Sequence, residues 1–281
     1  MKPAGGMPHA EPFFLDGQGG SRFCLYHAPF GPCRGAVLYI APFAEEMNRA
    51  RRMAALQARQ LAALGYAVLQ PDLYGCGDSS GDFGEARWEI WKSDLAAAAH
   101  WLQQRHTVAL HLWGLRLGAL LALDYARGAP HGVATMLLWQ PVLSGTSYLT
   151  QFLRLRAAGA LLANEATDRV SPQALRVALQ SGETLEIAGY DLAPAMAMAI
   201  DSLAPLEELA PACPVHWFEA VNPPAQGPSP AAARASAQWL RQGVPLQMHT
   251  LPAPPFWASL EITVAPAWLE KGAELFQAQA Q

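Results

Sequence analysis

The sequence predicts an α/β fold, a mainly parallel, doubly wound sheet with an inserted helical segment. Three observations point to it. Short apolar runs alternate with helical patterns from Gly35 to Trp139, as in consecutive βα units. The runs lack polar alternation, as strands covered on both faces should. The chain has 281 residues, 52% of them hydrophobic and 15% charged, which is ample material for one large core.

Phe13–Leu15 and Ser21–Tyr26, separated by Asp16-Gly-Gln-Gly-Gly20, read as an opening β-hairpin. Gly35–Ile40 is a strand entering the loop Ala41–Asn48. A helix from about Arg49 to Leu64 is closed by Gly65. Tyr66–Gln70 is the next strand, and Pro71–Gly81 the loop that follows. Trp88–Gln104 is helical, with Trp88, Trp91, Leu95, Ala98 and Leu102 on one face. Beyond the strand and helix around residues 108–123 comes the strand Thr135–Trp139.

Strand signals then stop from Leu143 to Pro205, where Tyr148–Asn164 and Ser171–Gln180 read as helices. This predicts a cap over residues 143–205 inserted into a core of residues 1–142 and 206–281. Pro214–Glu219 and Pro245–Leu251 are the last strands. A helix ending at Leu240 lies between them, and one from about Pro266 to Ala278 closes the chain.

The net charge of −4 gives no whole-chain basic signature for nucleic acid or anionic membrane. No apolar run of about 18 residues is present, and the amino-terminal residues lack a signal-peptide core, so a cytoplasmic location is expected. Cys24, Cys33, Cys76 and Cys213 form no zinc-type spacing, and free thiols are expected. His100, His106, His111 and His131 show no metal spacing either, and neither metal nor cofactor is implied.

The most informative stretch is Trp113-Gly-Leu-Arg-Leu-Gly118, between a buried strand and a helix. It has the Gly-x-Ser-x-Gly spacing of the nucleophile elbow of α/β-hydrolases, in which the central residue is lifted above the sheet on a strained turn. Here that residue is Arg116. A guanidinium stays protonated and has no lone pair with which to attack a carbonyl. The acid should follow the strand Pro214–Glu219, where the count falls on Asn222 or Pro223, with Glu219 the only carboxylate nearby. The histidine should lie within Pro252–Trp257, where the count falls on Pro255. His249 lies inside the strand, several residues early. Ser79, Ser80 and Cys76 are weak substitutes, and Asp94 reads as a structural carboxylate.

What remains is suited to anions. The Leu117 N–H opens the elbow helix, and Phe43 or Ala44 would give a second donor. Arg116 is expected either to pair with Glu45 or Glu46 or to bind a ligand anion. Phe256 and Trp257 are packing residues or the floor of a ligand pocket.

The motif order resembles α/β-hydrolases over nearly the whole chain. Three stretches are more particular: Pro42-Phe-Ala-Glu-Glu-Met-Asn-Arg49 with Arg51-Arg52-Met53; Trp113-Gly-Leu-Arg-Leu-Gly118; and Leu138-Trp-Gln-Pro-Val-Leu-Ser-Gly145 with Pro254-Pro-Phe-Trp257. Together they resemble the second of two hydrolases associated with the bacterial exosortase A system, which is linked to exopolysaccharide genes. The resemblance implies an α/β-hydrolase fold, a bacterial cytoplasmic setting and a nominal hydrolase, without a substrate.

Three functions follow as expectations. The first is a cleft binding a small anionic or acyl ligand through Phe43, Ala44, Arg116, Leu117, Phe256 and Trp257. The second is an ester or thioester hydrolase with Glu45 or Glu46 as base, Arg116 holding the oxyanion and Glu219 as a further candidate. The third is a scaffold for a protein partner in the sorting machinery, using Arg154, Arg156, Arg169 and Arg176.

Overall fold

The computed structural model describes residues 10–129, 132–162, 171–222 and 227–278. In chain order the strands and helices are β1 (Ala10–Gly17), β2 (Gly20–His27), β3 (Gly35–Ile40), α1 (Glu45–Ala63), β4 (Tyr66–Pro71) and α2 (Trp88–Arg105). Then come β5 (Leu110–Leu115), α3 (Leu117–Gly128), β6 (Thr135–Trp139), α4 (Gly145–Leu162), α5 (Pro172–Gln180), β7 (Leu185–Ile187), β8 (Tyr190–Leu192) and α6 (Pro194–Asp201). The chain ends with β9 (Val215–Val221), α7 (Pro230–Arg241), β10 (Leu246–Pro252) and α8 (Pro266–Ala278).

Eight strands form one sheet in the order β1-β2-β4-β3-β5-β6-β9-β10. The β1–β2 and β2–β4 pairs are antiparallel and the rest are parallel. Alternate residues of each central strand feed opposite cores, as the period-2 geometry of a strand requires. Val37, Tyr39, Val68, Trp113, Trp139 and Phe218 pack with α1 and α8 on one face. Leu38, Ile40, Leu69, Leu112, Met136 and Trp217 pack on the other, with α2 and α3. Because both faces are covered, these strands are mostly apolar and show no regular polar alternation in sequence.

Two elements differ from expectation. The first is α1, which begins at Glu45, four residues before Arg49, with Glu45 and Glu46 in its first turn. Acidic residues there favour the positive end of the helix, and this brings both carboxylates into its start. The second is the segment between β6 and β9, which was expected to lack strands. It contains the antiparallel hairpin β7–β8 and the helix α6. Strands of three residues are too short to show alternation. Their turn is Ala188-Gly189, with φ of 53° and 82°, the positive values of a two-residue hairpin turn. Arg169 and His131 lie outside the described residues.

The opening hairpin is anchored by a buried ion pair. Arg22 Nε on β2 lies 2.8 Å from Asp94 Oδ1 on α2, and both side chains are at most 2% exposed. The other Arg22 nitrogens donate to the Gly20 and Gln18 carbonyls. Asp94 Oδ2 accepts from the Tyr74 N–H at 2.9 Å. Asp94 is thus the structural carboxylate the sequence suggested.

Candidate functional site

Arg116 sits between β5 and α3 with φ 55° and ψ −121°, a conformation that ordinary side chains avoid. The neighbouring glycines are dictated by space. A Cβ on Gly114 would lie 2.6 Å from Ala119 Cα, and one on Gly118 would run into the Ile40 and Ala41 carbonyls. The elbow geometry is therefore intact around an arginine.

The Arg116 side chain is held on several sides. Its Nε donates to Glu46 Oε1 at 3.2 Å, and the two side chains are 17% and 19% exposed. Tyr148 of α4 donates its hydroxyl to Glu46 Oε2 at 3.2 Å. The guanidinium carbon lies 5.5 Å from the ring centre of Trp257 and 5.9 Å from that of Tyr148, within cation–π range. Burial pushes the Glu46 carboxyl up from its ordinary value, and the Arg116 charge opposes that shift. The single bond from Nε leaves both Nη groups without a partner among the described residues.

Glu45 does not reach Arg116. It accepts from Arg49 Nε, Asn48 Nδ2 and the Tyr190 hydroxyl. Of the two expected carboxylates, only Glu46 is brought to the arginine.

A cleft of about 480 Å³ opens beside Arg116, between the carboxyl ends of β6 and β9, the start of α4 and the start of α7. Arg116 and Glu219 both line it, together with Gln140, Ser147, Gln151 and Arg234. Phe43, Ala44, Leu117, Phe256 and Trp257 do not, which corrects the expected lining. Phe43, Ala44 and Leu117 are 2%, 3% and 1% exposed, so their side chains belong to the core. Phe43 meets Phe83, Trp91 and Phe152 edge to face. Phe256 is fully buried against Trp139, Trp257 and Trp268, and is a packing residue. Trp257 backs the arginine from the core.

The cleft residues that sequence reasoning missed come from α4, α7 and the end of β6. Gln140 carried the one available signal, since it follows β6 as Arg116 follows β5. It also has a positive φ, 41°, and its Oε1 accepts from the Ala220 N–H at 2.6 Å.

The remaining expected positions are equally plain. Asn222 follows β9 and is exposed, and Pro223 lies outside the described residues. Pro255 is exposed, and its carbonyl accepts from the Ala258 and Ser259 N–H groups. His249 lies within β10, its Nε2 3.4 Å from His216 Nδ1. Ser79 Oγ donates to the Asp72 carbonyl and accepts from Phe23, while Ser80 Oγ accepts from Ser21, so both serines hold the turn. All four cysteines are free, and burial pushes the Cys76 thiol up to about 12, which disfavours the nucleophilic thiolate. Among the described residues no group of three His, Cys, Asp or Glu side chains could hold a metal ion, and no helix is long and apolar enough to cross a membrane.

A parallel sheet ending in an elbow between β5 and α3 defines an α/β-hydrolase. Residues 31–202 match the Hydrolase_4 family, described as serine aminopeptidase, S33, and the chain belongs to that family. A comparison with curated proteins returns no match.

Similar solved structures share the fold. They include Est1E from Butyrivibrio proteoclasticus with bound ferulic acid, at TM-score 0.65 and 16% identity, covering 95% of this chain and 96% of that one. A thermostable carboxyl esterase from Bacillus coagulans in complex with glycerol is similar at TM-score 0.60 and 13% identity, covering 87% and 90%. Proline iminopeptidase from Mycobacterium smegmatis is similar at TM-score 0.58 and 14% identity, covering 96% and 98%.

Proposed function

We propose that this α/β-hydrolase has a dismantled Ser-His-Asp triad and binds a small ligand with a carboxylate or acyl-type group. The ligand enters the cleft between the sheet core, residues 1–142 and 206–281, and a cap formed by residues 143–205. One observation carries the proposal. The elbow conformation is kept at Arg116, whose Nε is fixed by Glu46 while both Nη groups have no hydrogen-bond partner among the described residues. Planar guanidinium nitrogens held in this way suit a carboxylate or a polarised carbonyl oxygen. Asn222 and Pro255, at the other two triad positions, offer neither an orienting carboxylate nor a general base.

Hydrolysis with Glu46 as base is disfavoured. Both of its oxygens are taken, by Arg116 and by Tyr148, and it does not line the cleft. The resemblance of the Pro42–Arg49, Trp113–Gly118 and Leu138–Gly145 stretches supports a bacterial cytoplasmic role beside the exosortase A and exopolysaccharide machinery. A scaffold role would use the exposed Arg154 and Arg156. Arg176 suits it less, because it is tied to Asp201 and Thr150.

The test is calorimetric titration of short-chain carboxylates into the full chain and its Arg116→Ala variant. The proposal expects binding that the substitution removes. Equal binding by both proteins, or by neither, contradicts it.

A further inference from the structure

Arg116, Gln140 and Glu219 form one row across the carboxyl end of the sheet. Leu115 is in register with Trp139, and Trp139 with Phe218, so the three residues that follow stand side by side. The Arg116 N–H donates to the Trp139 carbonyl at 3.0 Å, and the Gln140 N–H to the Phe218 carbonyl at 2.8 Å. With neighbouring strands about 4.8 Å apart, the two ends of the row lie about 10 Å from each other. Both ends line the same cleft.

The charges at these ends are not treated alike. Arg116 is matched by Glu46 at 3.2 Å. Glu219 is 4% exposed, and among the described residues its one hydrogen bond is accepted by Oε2 from the Trp217 indole Nε1 at 3.2 Å. Among the described residues it has no ion-pair partner. A buried carboxylate with a single neutral donor is poorly compensated for its lost hydration, and a cation beside it would supply what is missing. The cleft, which Arg234 also lines, therefore has at Glu219 a carboxylate without an ion pair among the described residues and, about 10 Å away, the Nη donors of an arginine already matched by Glu46.

We infer that the ligand is amphoteric, with an ammonium group lying against Glu219 and a carboxylate accepting from the Arg116 Nη groups. This rests on the reading of Arg116 given above and adds the second recognition point. Ser147 and Gln151 line the same cleft and add polar groups to its wall.

Calorimetric titration of 6-aminohexanoate and hexanoate into the full chain tests it. The amino acid is expected to bind about tenfold more tightly, equivalent to about 1.4 kcal/mol. Glu219→Gln keeps an acceptor for Trp217 and should abolish that advantage without weakening hexanoate. The Trp217 indole N–H resonance should move with 6-aminohexanoate and stay in place with hexanoate. Equal affinity for both compounds, lost in Arg116→Ala, would overturn this inference and leave the carboxylate-binding proposal standing. An advantage that survives Glu219→Gln would also overturn it, and binding of neither compound would overturn both.

Discussion

Arg116 and Glu46 meet at 3.2 Å across 70 positions of sequence, one at the elbow and the other in the first turn of α1. The contact ties β5–α3 to β3–α1 at the point where α/β-hydrolases place nucleophile and oxyanion donors. It also makes the arginine's direction a property of the fold.

Removing that arginine should be felt in stability as well as in binding. Arg116→Ala leaves Glu46 largely buried with only the Tyr148 hydroxyl, and a buried charge without its partner is costly. A loss of about 2–3 kcal/mol is expected from urea unfolding, and adding Glu46→Gln should restore part of it. An unchanged unfolding midpoint in the single variant would show that the pair contributes nothing.

The elbow glycines predict a sharper effect. Gly118→Ala forces a Cβ into the Ile40 and Ala41 carbonyls, which are backbone and cannot rotate away. Thermal denaturation should show a loss of about 3 kcal/mol or more. Wild-type stability would mean that the α3–β3 approach is looser than described.

The Arg22–Asp94 pair offers a comparison deep in the core. Asp94→Asn should cost about 3–5 kcal/mol, since the Arg22 charge is then left uncompensated at 1% residue exposure. Denaturant unfolding checks this, and Arg22→Met combined with Asp94→Leu should cost much less than the single change.

Acid should weaken the fold through its buried histidines. Burial holds His111 and His249 down at about 4 and lowers His216, with the Lys271 charge adding to the effect at the last two. In the unfolded chain histidines take up protons near pH 6.5, before these folded sites do. Stability is therefore present above that pH and falls as pH drops from about 6.5 towards about 4. For His111, which is 6% exposed, the full loss is about 3 kcal/mol. Urea midpoints at about pH 7 and about pH 4.5 should differ, and less so in His111→Phe. A flat profile would show that these rings are not neutral in the fold.

Much of the fold was legible because apolar runs and elbow glycines are local signals. The strands Gly35–Ile40, Tyr66–Gln70 and Thr135–Trp139, and the elbow spacing around Arg116, could be read directly. The β7–β8 hairpin could not, because three-residue strands have no visible period. The site was legible only in part. The sequence left open whether Arg116 would meet a carboxylate or a ligand anion, and the choice of Glu46 over Glu45 depended on where α1 starts and which way its first turn faces. The cleft wall, drawn from Gln140, α4 and α7, is assembled by distant segments with no shared motif. Phe256 and Trp257 could be read either as packing residues or as a pocket floor, because aromatic composition does not say which side of the sheet a loop packs against.

The central claim is that an arginine at the elbow has replaced triad chemistry with ligand binding. It is tested most directly by assaying hydrolysis of short and long acyl esters and thioesters, with Arg116→Ala as the matched control. The account predicts no turnover above the variant's background for any substrate. Turnover by the wild-type chain that disappears in Arg116→Ala would contradict it and assign Arg116 to a working hydrolase.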